Sequence, residues 1–260
     1  MNNLEDDIRI RILRKKIIKA TMRAKEGHIP SSFSILDILY CLYILLPKNT
    51  KIDVTKHDLF ILSKGHASLA LYAILEEVKL IGPEWVNTFG EFDSHFGGHP
   101  DKNKVTSIQA STGSLGHGLP FAIGKALARR ALGIESKIYC LIGDGELNEG
   151  SIWESFLLIS NYNLHELVII IDSNKSGDRA LMIENMEEKL QSFNFCVKNI
   201  NGHLHTEILE SLNFFGNNRP LAIIANTVKG FGISAMENNP AWHHAFPTQL
   251  QYKEFMDSLN

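Results

Sequence analysis

The sequence predicts an α/β fold in which a doubly wound, mostly parallel sheet carries helices on both faces. Five short apolar runs alternate with stretches of helical periodicity, which is typical of this class. Most of the runs are continuously apolar rather than alternating, as expected of parallel strands that are covered on both faces. The predicted strands are Leu59–Leu62, Ile138–Ile142, Leu167–Ile171, Phe195–Ile200 and Leu221–Thr227.

Helical patterns precede and separate these runs. An amphipathic pattern over residues 5–26 predicts a first helix that ends at Gly27, since glycine readily adopts the left-handed conformation found after helices. A second helix is predicted from Ser34 to Leu46, closed by Pro47. Further helices are predicted at residues 66–80, 114–132, 150–163 and 206–215, with a short C-terminal helix after the loose segment Gly230–Pro247.

Composition limits the classes of protein to which the chain can belong. Of its 260 residues 44% are apolar, and 26 Lys and Arg against 29 Asp and Glu leave a net charge of −3, so we expect no nucleic-acid partner. The longest purely apolar run, Ile38–Leu46, has nine residues, about half of the roughly 20 that a bilayer span needs. The three cysteines are far apart and lack a CxxC pair, as in a reducing compartment. We therefore expect a cytoplasmic protein without a membrane partner, folded as a single domain over residues 1–260.

One glycine-rich turn carries the clearest chemical signal. Residues 142–150 read IGDGELNEG, directly after a predicted strand and before a predicted helix, where glycines and helix N–H groups let a phosphate approach closely. The next strand ends close to Asn174, so parallel pairing would bring its amide oxygen beside the Asp144 carboxylate. Such oxygens suit Mg²⁺ or Ca²⁺. Each element alone is equally consistent with a simple turn or a polar strand end.

Taken together, GDG and the later Asn resemble the thiamine-diphosphate fingerprint, and the sequence around them resembles the N-terminal part of transketolase. The resemblance extends along almost the whole chain, through motifs that occur in the family's order. They are Glu26–Ser32 (EGHIPSS), Leu62–Tyr72 (LSKGHASLALY), Gly98–Asp101 (GHPD), Ala110–Gly118 (ASTGSLGHG), the GDG turn itself, and Lys229-Gly followed by Trp242-His243.

This resemblance implies a thiamine-diphosphate-binding fold and assigns roles to individual residues. Asp144 and Asn174 would bind the metal, Mg²⁺ or in its place Ca²⁺ or Mn²⁺, with the backbone carbonyl of Ser176. Catalytic proton transfer would fall to His28, His99 and His243, since histidines titrate near neutral pH. Cofactor contacts would come from Ser31, Lys64, His66, Gly113, Ser114, Leu115, Gly145, Glu146, Asn174, Lys229 and His243.

Other histidines lie outside these roles. His244 competes with its neighbour His243 for the same position. The remaining ones, which fall outside the matched motifs, are expected at the surface or in loops: His57, His95, His165, His203 and His205. The segment Lys175–Met182 reads KSGDRALM where related chains carry a more apolar stretch, and this departure bears on the assignment of Ser176.

The resemblance covers the diphosphate-binding domain of a longer, three-domain enzyme. The pyrimidine-binding domain, with the glutamate that activates the cofactor, is expected on a separate chain. The chain would then be the N-terminal subunit of a split transketolase, a homodimer or a heterotetramer with its C-terminal subunit. The pair would transfer a two-carbon ketol unit from a ketose donor to an aldose acceptor, as free sugars or sugar phosphates.

Three other classes remain open at this point. A subunit of the 2-oxoacid decarboxylating type, which transfers an acetyl unit from pyruvate, shares GDG and Asn but lacks the SKGHAS and TGSLGxG segments. A deoxyxylulose-phosphate synthase shares more of them but is normally one long chain. A degenerate, non-catalytic module that binds a partner would not need Asp144, Asn174, His66 and His243 together. A plain NAD-binding domain is disfavoured because no GxGxxG follows the first strand.

Overall fold

A parallel sheet forms the centre of the computed structural model, which describes residues 3–214 and 218–260. Its strands are paired in the order β1-β2-β3-β5-β4, and all pairings are parallel. This confirms the predicted sheet, and the strand ends differ from the prediction by no more than about two residues. The strands are β1 (Leu59–Leu62), β2 (Ile138–Gly143), β3 (Leu167–Ser173), β4 (Cys196–Asn201) and β5 (Leu221–Asn226).

Helices surround this sheet. Within the described residues they are α1 (Leu4–Ala24), α2 (Ile29–Tyr40), α3 (Leu46–Asn49), α4 (Ser68–Glu77), α5 (Trp85–Thr88), α6 (Gly118–Ala131), α7 (Gly150–Asn161), α8 (Met186–Ser192), α9 (His205–Leu212) and α10 (Gln249–Ser258). The sequence did not predict α5 or α8. Phe215, the last residue of the predicted helix over 206–215, lies outside the described residues.

Two apolar cores lie on opposite faces of the sheet, which is why the central strands read as continuous apolar runs. Successive strand residues point to opposite faces, so Phe60 and Tyr139 pack with helices α1, α2, α4, α9 and α10. Their strand neighbours Ile61 and Ile138 pack with α6, α7 and α8. The doubly wound arrangement is therefore confirmed.

The second helix differs from its prediction at both ends. It begins at Ile29 rather than Ser34, with Pro30 in its first turn, where the missing N–H costs no hydrogen bond. It also passes through a π-helical turn, Cys41–Leu45, directly into α3. Pro47 lies in the first turn of α3 and does not end the helical stretch, because the wider π turn has already shifted the hydrogen-bond register.

This helical stretch is also the one part of the described chain that is long and apolar enough to cross a membrane. Residues Ile29–Lys48 have a mean hydropathy of 1.8, but 89% of the apolar window is buried inside the fold. Its apolar character is thus accounted for by packing as a core helix between α1, α4 and the sheet.

The carboxyl ends of the central strands meet at one edge of the sheet. Gly143 at the end of β2 is paired with Asp172 in β3, and Ser173 is paired with Asn226 at the end of β5. The segments that follow these strands are therefore neighbours, as at the ligand crevice of open α/β sheets. A parallel bridge between His28 and Ala245 brings the loop before α2 and the loop before α10 to the same edge.

Candidate functional site

Asp144 follows β2 and has a half-satisfied carboxylate. Its Oδ1 accepts hydrogen bonds from the backbone N–H groups of Gly145 at 2.8 Å and Gly177 at 3.2 Å. Its Oδ2 is buried and has no hydrogen-bond partner within the part of the chain that the structure describes. Burial, and next the Asp172 carboxylate, raise the pKa of Asp144 above its usual value. A bound cation would supply the partner that Oδ2 lacks and would favour the charged form.

Asn174 presents the second oxygen of the expected metal site. Its amide Nδ2 donates to Asp172 Oδ2 at 2.7 Å, which leaves its Oδ1 to face away from that carboxylate and to accept from Ser176 N at 3.1 Å. No three His, Cys, Asp or Glu side chains converge as a metal site in residues 3–214 and 218–260. The donors available are a carboxylate, an amide oxygen and backbone carbonyls, and this set fits a hard divalent cation.

Asp172 lies beneath these two residues and was not predicted as part of the site. It is fully buried, forms an ion pair with Lys64, and accepts hydrogen bonds from Ser34 Oγ at 2.7 Å and from Thr227 Oγ1. Burial alone would raise the pKa of Asp172, but the Lys64 ammonium and these hydrogen bonds hold it below its usual value. The signal available in the sequence was an acidic residue closing an apolar strand, in the run IIIDSN.

Two residues that were expected to contact the cofactor are buried and connect separate segments of the chain. Lys64 is 1% exposed, and its ammonium is taken up by Asp172 and by the carbonyl of Ser31 at 3.2 Å. Glu146 is also 1% exposed, and its carboxylate accepts from Ser63 Oγ at 2.5 Å and from the N–H groups of Gly116 and Gly143, each at 2.9 Å. Glu146 thereby ties the TGSLG loop to the GDG turn, while neither residue lines the open cavity.

Four histidine rings from distant parts of the sequence cluster together. His28 is the centre of this cluster, with ring centroids 5.2 Å from His66, 5.6 Å from His243 and 4.6 Å from His244. The structure therefore brings together rings from three motifs that are far apart in the sequence. It also places the His244 ring nearer to His28 than the His243 ring, so proximity to His28 does not favour His243.

The inner rings of this cluster are neutral at physiological pH. Burial, followed by the charges of His244 and His243, lowers the pKa of His28 to about 4. Burial and the Lys64 ammonium lower the pKa of His66 to about 2. Each ring can therefore offer one N–H donor and one nitrogen acceptor to a bound molecule.

Lys229 joins the histidine cluster to the metal side of the site. Its Nζ lies 2.9 Å from Ser176 Oγ and 2.9 Å from His243 Nδ1. Since an ammonium group can only donate, His243 accepts through Nδ1 and carries its own proton on Nε2. Burial and the Lys64 charge lower the pKa of Lys229 to about 8. Burial and Lys229 also lower the pKa of His243.

The TGSLG loop packs closely on the loops beside it. A Cβ atom at Gly65 would lie 2.7 Å from the carbonyl carbon of Thr112, and one at Gly113 would lie 3.1 Å from the His99 ring. His99 is exposed, and its carbonyl accepts from Tyr72 Oη at 3.2 Å. Gly145 has open space around it, with no atom closer than 4.0 Å to an added Cβ. Of the other expected residues, Ser114 is exposed, Leu115 is half-buried and Ser31 is 1% exposed.

A cavity of about 800 Å³ lies beside these groups. Asn174, Ser176, Lys229 and His243 line it. Arg179, which the sequence analysis did not single out, lines it as well and adds a cation beside Lys229. Asp144 lines a smaller neighbouring cavity. The larger cavity therefore combines cationic side chains and amide groups, a chemistry that suits a phosphate-bearing ligand.

Two histidines expected at the surface or in loops are buried. His203 does lie in a loop, in the turn before α9, whereas His205 begins that helix, so the prediction was wrong for His205. His203 is 9% exposed and His205 is 4% exposed, and both contact the buried Asp37 carboxylate. Arg14 completes this group, with Nη2 3.1 Å from Asp37 Oδ2. Polar residues next to a glycine gave no sign in the sequence that a carboxylate on a distant helix would cover them. His57, His95 and His165 are exposed, as expected.

Comparison with known protein families agrees with this geometry. The family model described as "Transketolase, thiamine diphosphate binding domain" matches residues 6–254. One of the subunits of the apulose-4-phosphate transketolase of Phocaeicola vulgatus is 38% identical over 250 residues, which cover 93% of this chain and 89% of that protein. A 6-deoxy-6-sulfo-D-fructose transketolase subunit of a Clostridium species is 32% identical over 260 residues, covering 95% of this chain and 94% of that protein.

Solved structures show the same fold. The transketolase of Campylobacter jejuni superposes with a TM-score of 0.83 at 27% sequence identity. The superposition covers 100% of this chain but only 46% of that longer protein. The likeness thus extends over the whole of this chain and leaves more than half of the solved chain without a counterpart in it.

Proposed function

The chain belongs to the transketolase family, as its thiamine diphosphate binding domain, and from this premise we propose that it is the diphosphate-binding subunit of a two-chain transketolase. The pair would transfer a two-carbon ketol unit from a ketose to an aldose, as free sugars or sugar phosphates. The observation that supports this proposal is the arrangement of side chains at one edge of the sheet. There Asp144 Oδ2, without a partner among the described residues, and the Asn174 amide lie near Lys229, whose amine contacts His243 in a cluster of histidines.

The metal and the diphosphate would be held at this edge. Asp144 and Asn174, with the carbonyl of Ser176, would bind Mg²⁺, and Lys229 and His66 would hold the diphosphate oxygens near Gly145. When bound, thiamine diphosphate supplies a thiazolium carbon that acts as nucleophile and electron sink. The buried residues beneath the site would hold it in place before any ligand binds, because Asp172 orients Asn174 and Glu146 ties two loops together. Such second-layer contacts preserve ligand geometry.

The histidines would handle the protons of the sugar. His28 is neutral, so it can accept a proton from a substrate hydroxyl with one nitrogen while donating with the other. His243, whose Nδ1 accepts from Lys229, offers its Nε2–H as a donor to the substrate. His99 is exposed at the mouth, where it can bind a hydroxyl of the incoming sugar.

The partner subunit would close the site from the other side. Two relatives are named as transketolase subunits, and they match this chain over nearly their full length. Apolar side chains are exposed on neighbouring helices: Phe121 on α6, and Leu157 and Leu158 on α7 are 42%, 60% and 45% exposed. This surface favours a docked subunit. Residues 1–260 would then be a single diphosphate-binding domain in a cytoplasmic heterotetramer, with the pyrimidine-binding domain on the partner.

The test is an assay of the chain co-purified with the product of the neighbouring reading frame. We expect ketol transfer from ketose phosphates that requires thiamine diphosphate, stops with a chelator and returns with Mg²⁺. The matched control is the same pair carrying Asp144→Ala. Acetyl transfer from pyruvate without ketol transfer would replace this function with that of the 2-oxoacid type. Failure of the complex to bind thiamine diphosphate would leave only a non-catalytic module.

A further inference from the structure

His203 lies between the buried core and the loop that carries Lys229. Its ring is 9% exposed and stacks on Phe231, with centroids 3.7 Å apart and planes tilted by 18°. The Arg14 guanidinium carbon lies 5.2 Å from the centroid of the same Phe231 ring, and the Arg14 charge is paired with Asp37. His203 also borders the cavity described above.

The structure fixes the proton on this ring by hydrogen bonding. The backbone N–H of Val228 donates to His203 Nε2 at 2.9 Å, so Nε2 carries no proton. The other nitrogen, Nδ1, lies 3.0 Å from Asp37 Oδ2 and must then be the protonated one that donates. The ring is therefore a neutral Nδ1–H tautomer, with a carboxylate on one side and a backbone amide on the other.

Residues 228–231, here called the Lys229 strap, are held at several points. Gly230 N donates to the carbonyl of Pro30 at 3.1 Å, and the Lys229 carbonyl accepts from Asn238 N at 2.8 Å. His203 supplies both the acceptor for Val228 and the surface on which Phe231 stacks. It thus touches the strap on both sides of Lys229, whose amine reaches Ser176 and His243.

We propose that His203 is a positioning residue, whose neutral ring, oriented by Asp37, holds the Lys229 strap so that the Lys229 amine lies between Ser176 and His243. This inference rests on the proposed function, since it gives Lys229 a place at the diphosphate. His203 acts through the backbone and touches neither metal nor cofactor. Asp37 sets the tautomer, because only the Nδ1–H form leaves Nε2 free to accept from Val228.

Two substitutions separate the two sides of the ring. In His203→Gln the amide oxygen can take the position of Nε2 and still accept from Val228 N–H. In His203→Asn the shorter amide can take the position of Nδ1 and donate to Asp37, but it leaves Val228 N–H without its acceptor. Both variants lose the aromatic stacking, so they differ in which of the two hydrogen bonds of the ring they keep: His203→Gln keeps the bond to the strap, and His203→Asn keeps the bond to Asp37. The control is His205→Asn, which removes the bond of His205 Nε2 to Asp37, 3.2 Å long, without touching the strap.

The first measurement is acetylation of Lys229 by N-hydroxysuccinimidyl acetate in the two-chain complex. Mass spectrometry would follow it against the exposed Lys175 in the same sample. We expect faster acetylation of Lys229 in His203→Asn, a rate near that of the wild type in His203→Gln, and no change in His205→Asn. Nitrogen NMR of labelled histidine should show the Nδ1–H tautomer for His203. Neither readout needs ketol transfer, so both decide this inference even if the proposed activity is absent.

The second measurement is steady-state kinetics of the complex. We expect His203→Asn to lower kcat by about 10- to 100-fold, the scale of a small misplacement in a catalytic site, and His203→Gln to recover most of it. Equal acetylation of Lys229 in the wild type and in His203→Asn would overturn the proposal. The proposal would also be overturned if all three variants lost kcat equally and in proportion to their decrease in melting temperature. His203 would then contribute only to the packing of the core.

Discussion

The Asp144 side chain is arranged to bind a ligand, and this arrangement costs stability when no ligand is bound. One carboxylate oxygen is held by two backbone N–H groups, and the other is buried without a partner among the described residues. Burial and the neighbouring Asp172 both disfavour its charge. A divalent cation reverses that preference, and ligand binding should therefore dominate the behaviour of variants at this position.

Replacing Asp144 by Asn should separate binding from stability. We expect the affinity of the two-chain complex for thiamine diphosphate in the presence of Mg²⁺ to fall by at least about 10- to 100-fold, since even the residues that orient a metal ligand are worth that much. Without ligand, the variant should melt at the same or a higher temperature, because a neutral amide avoids the cost of a buried charge. Calorimetric titration and melting curves check this, with the exposed Asp178→Asn as control. Unchanged affinity would remove the GDG assignment.

The cluster histidines should matter for turnover rather than for folding. Replacing His28 or His243 by Ala should lower kcat by about 10²- to 10⁴-fold, the contribution expected of a general acid or base. Both residues lie in loops at the cavity, so the melting temperature of the complex should change little. The exposed His95→Ala serves as a control for the loss of an imidazole elsewhere. A collapse of the melting temperature in either cluster variant would make that histidine structural.

The depressed pKa of His28 also predicts how stability depends on pH. The ring titrates at about 4 in the fold instead of its ordinary value of 6.5, so below 6.5 the unfolded chain binds protons that the folded chain does not. The free energy of unfolding should therefore decrease as the pH falls from about 6.5 to about 4. His28→Asn should show a shallower decrease in urea titrations over this window. Identical pH dependence in the wild type and the variant would contradict the assignment.

Among the elements, helix α2 links the core to the site through one buried carboxylate. Asp37 binds Arg14 of α1, His203 before α9 and His205 at the start of α9. Burial alone would raise the pKa of Asp37, but hydrogen bonds from the two histidines, together with Arg14, hold it far below its usual range. Helices α1, α2 and α9 are thus linked through the Asp37 carboxylate.

Removing that charge should be costly because it leaves Arg14 buried and unpaired. We expect Asp37→Ala to lower the free energy of unfolding by about 3–5 kcal/mol, and the double variant with Arg14→Leu to recover part of this loss. The control is Lys56→Ala, which breaks the exposed Lys56–Asp53 pair and should cost less than about 1 kcal/mol. Urea denaturation of the complex measures all of these. If the double variant loses as much free energy of unfolding as Asp37→Ala, the unpaired Arg14 is not the cause of that loss.

At the same scale, the pattern of hydrophobic residues predicted the sheet well and the helix ends less well. Buried parallel strands leave a direct trace, since β2 from Ile138 to Ile142 and β3 from Leu167 to Ile171 are apolar throughout. The transition from α2 to α3 leaves no such trace, because a π turn depends on packing around Cys41–Leu45 rather than on residue type.

Sequence motifs located Asp144 and Asn174. They did not locate Asp172, Asp37 or His203, because the charged or polar partners of these residues, such as Lys64 for Asp172 and Asp37 for His203, come from distant segments.

For the whole molecule, the central expectation is that the chain is inactive without a second polypeptide. Apolar residues of α6 and α7 are exposed, as expected of a surface that a second subunit would cover. We expect no ketol transfer by the isolated chain and robust transfer by the co-expressed pair, which should have the mass of a heterotetramer in light scattering. Strong turnover by the chain alone would contradict the split-enzyme proposal.

The bridge between His28 and Ala245 has a consequence for synthesis on the ribosome. The histidine cluster needs both the loop before α2 and the loop before α10, so it cannot assemble until both loops have emerged from the exit tunnel. Contacts of such long sequence separation form late and slowly. Until then the strand edges and the apolar face of Ile29–Lys48 stay open to chaperones and to other nascent chains.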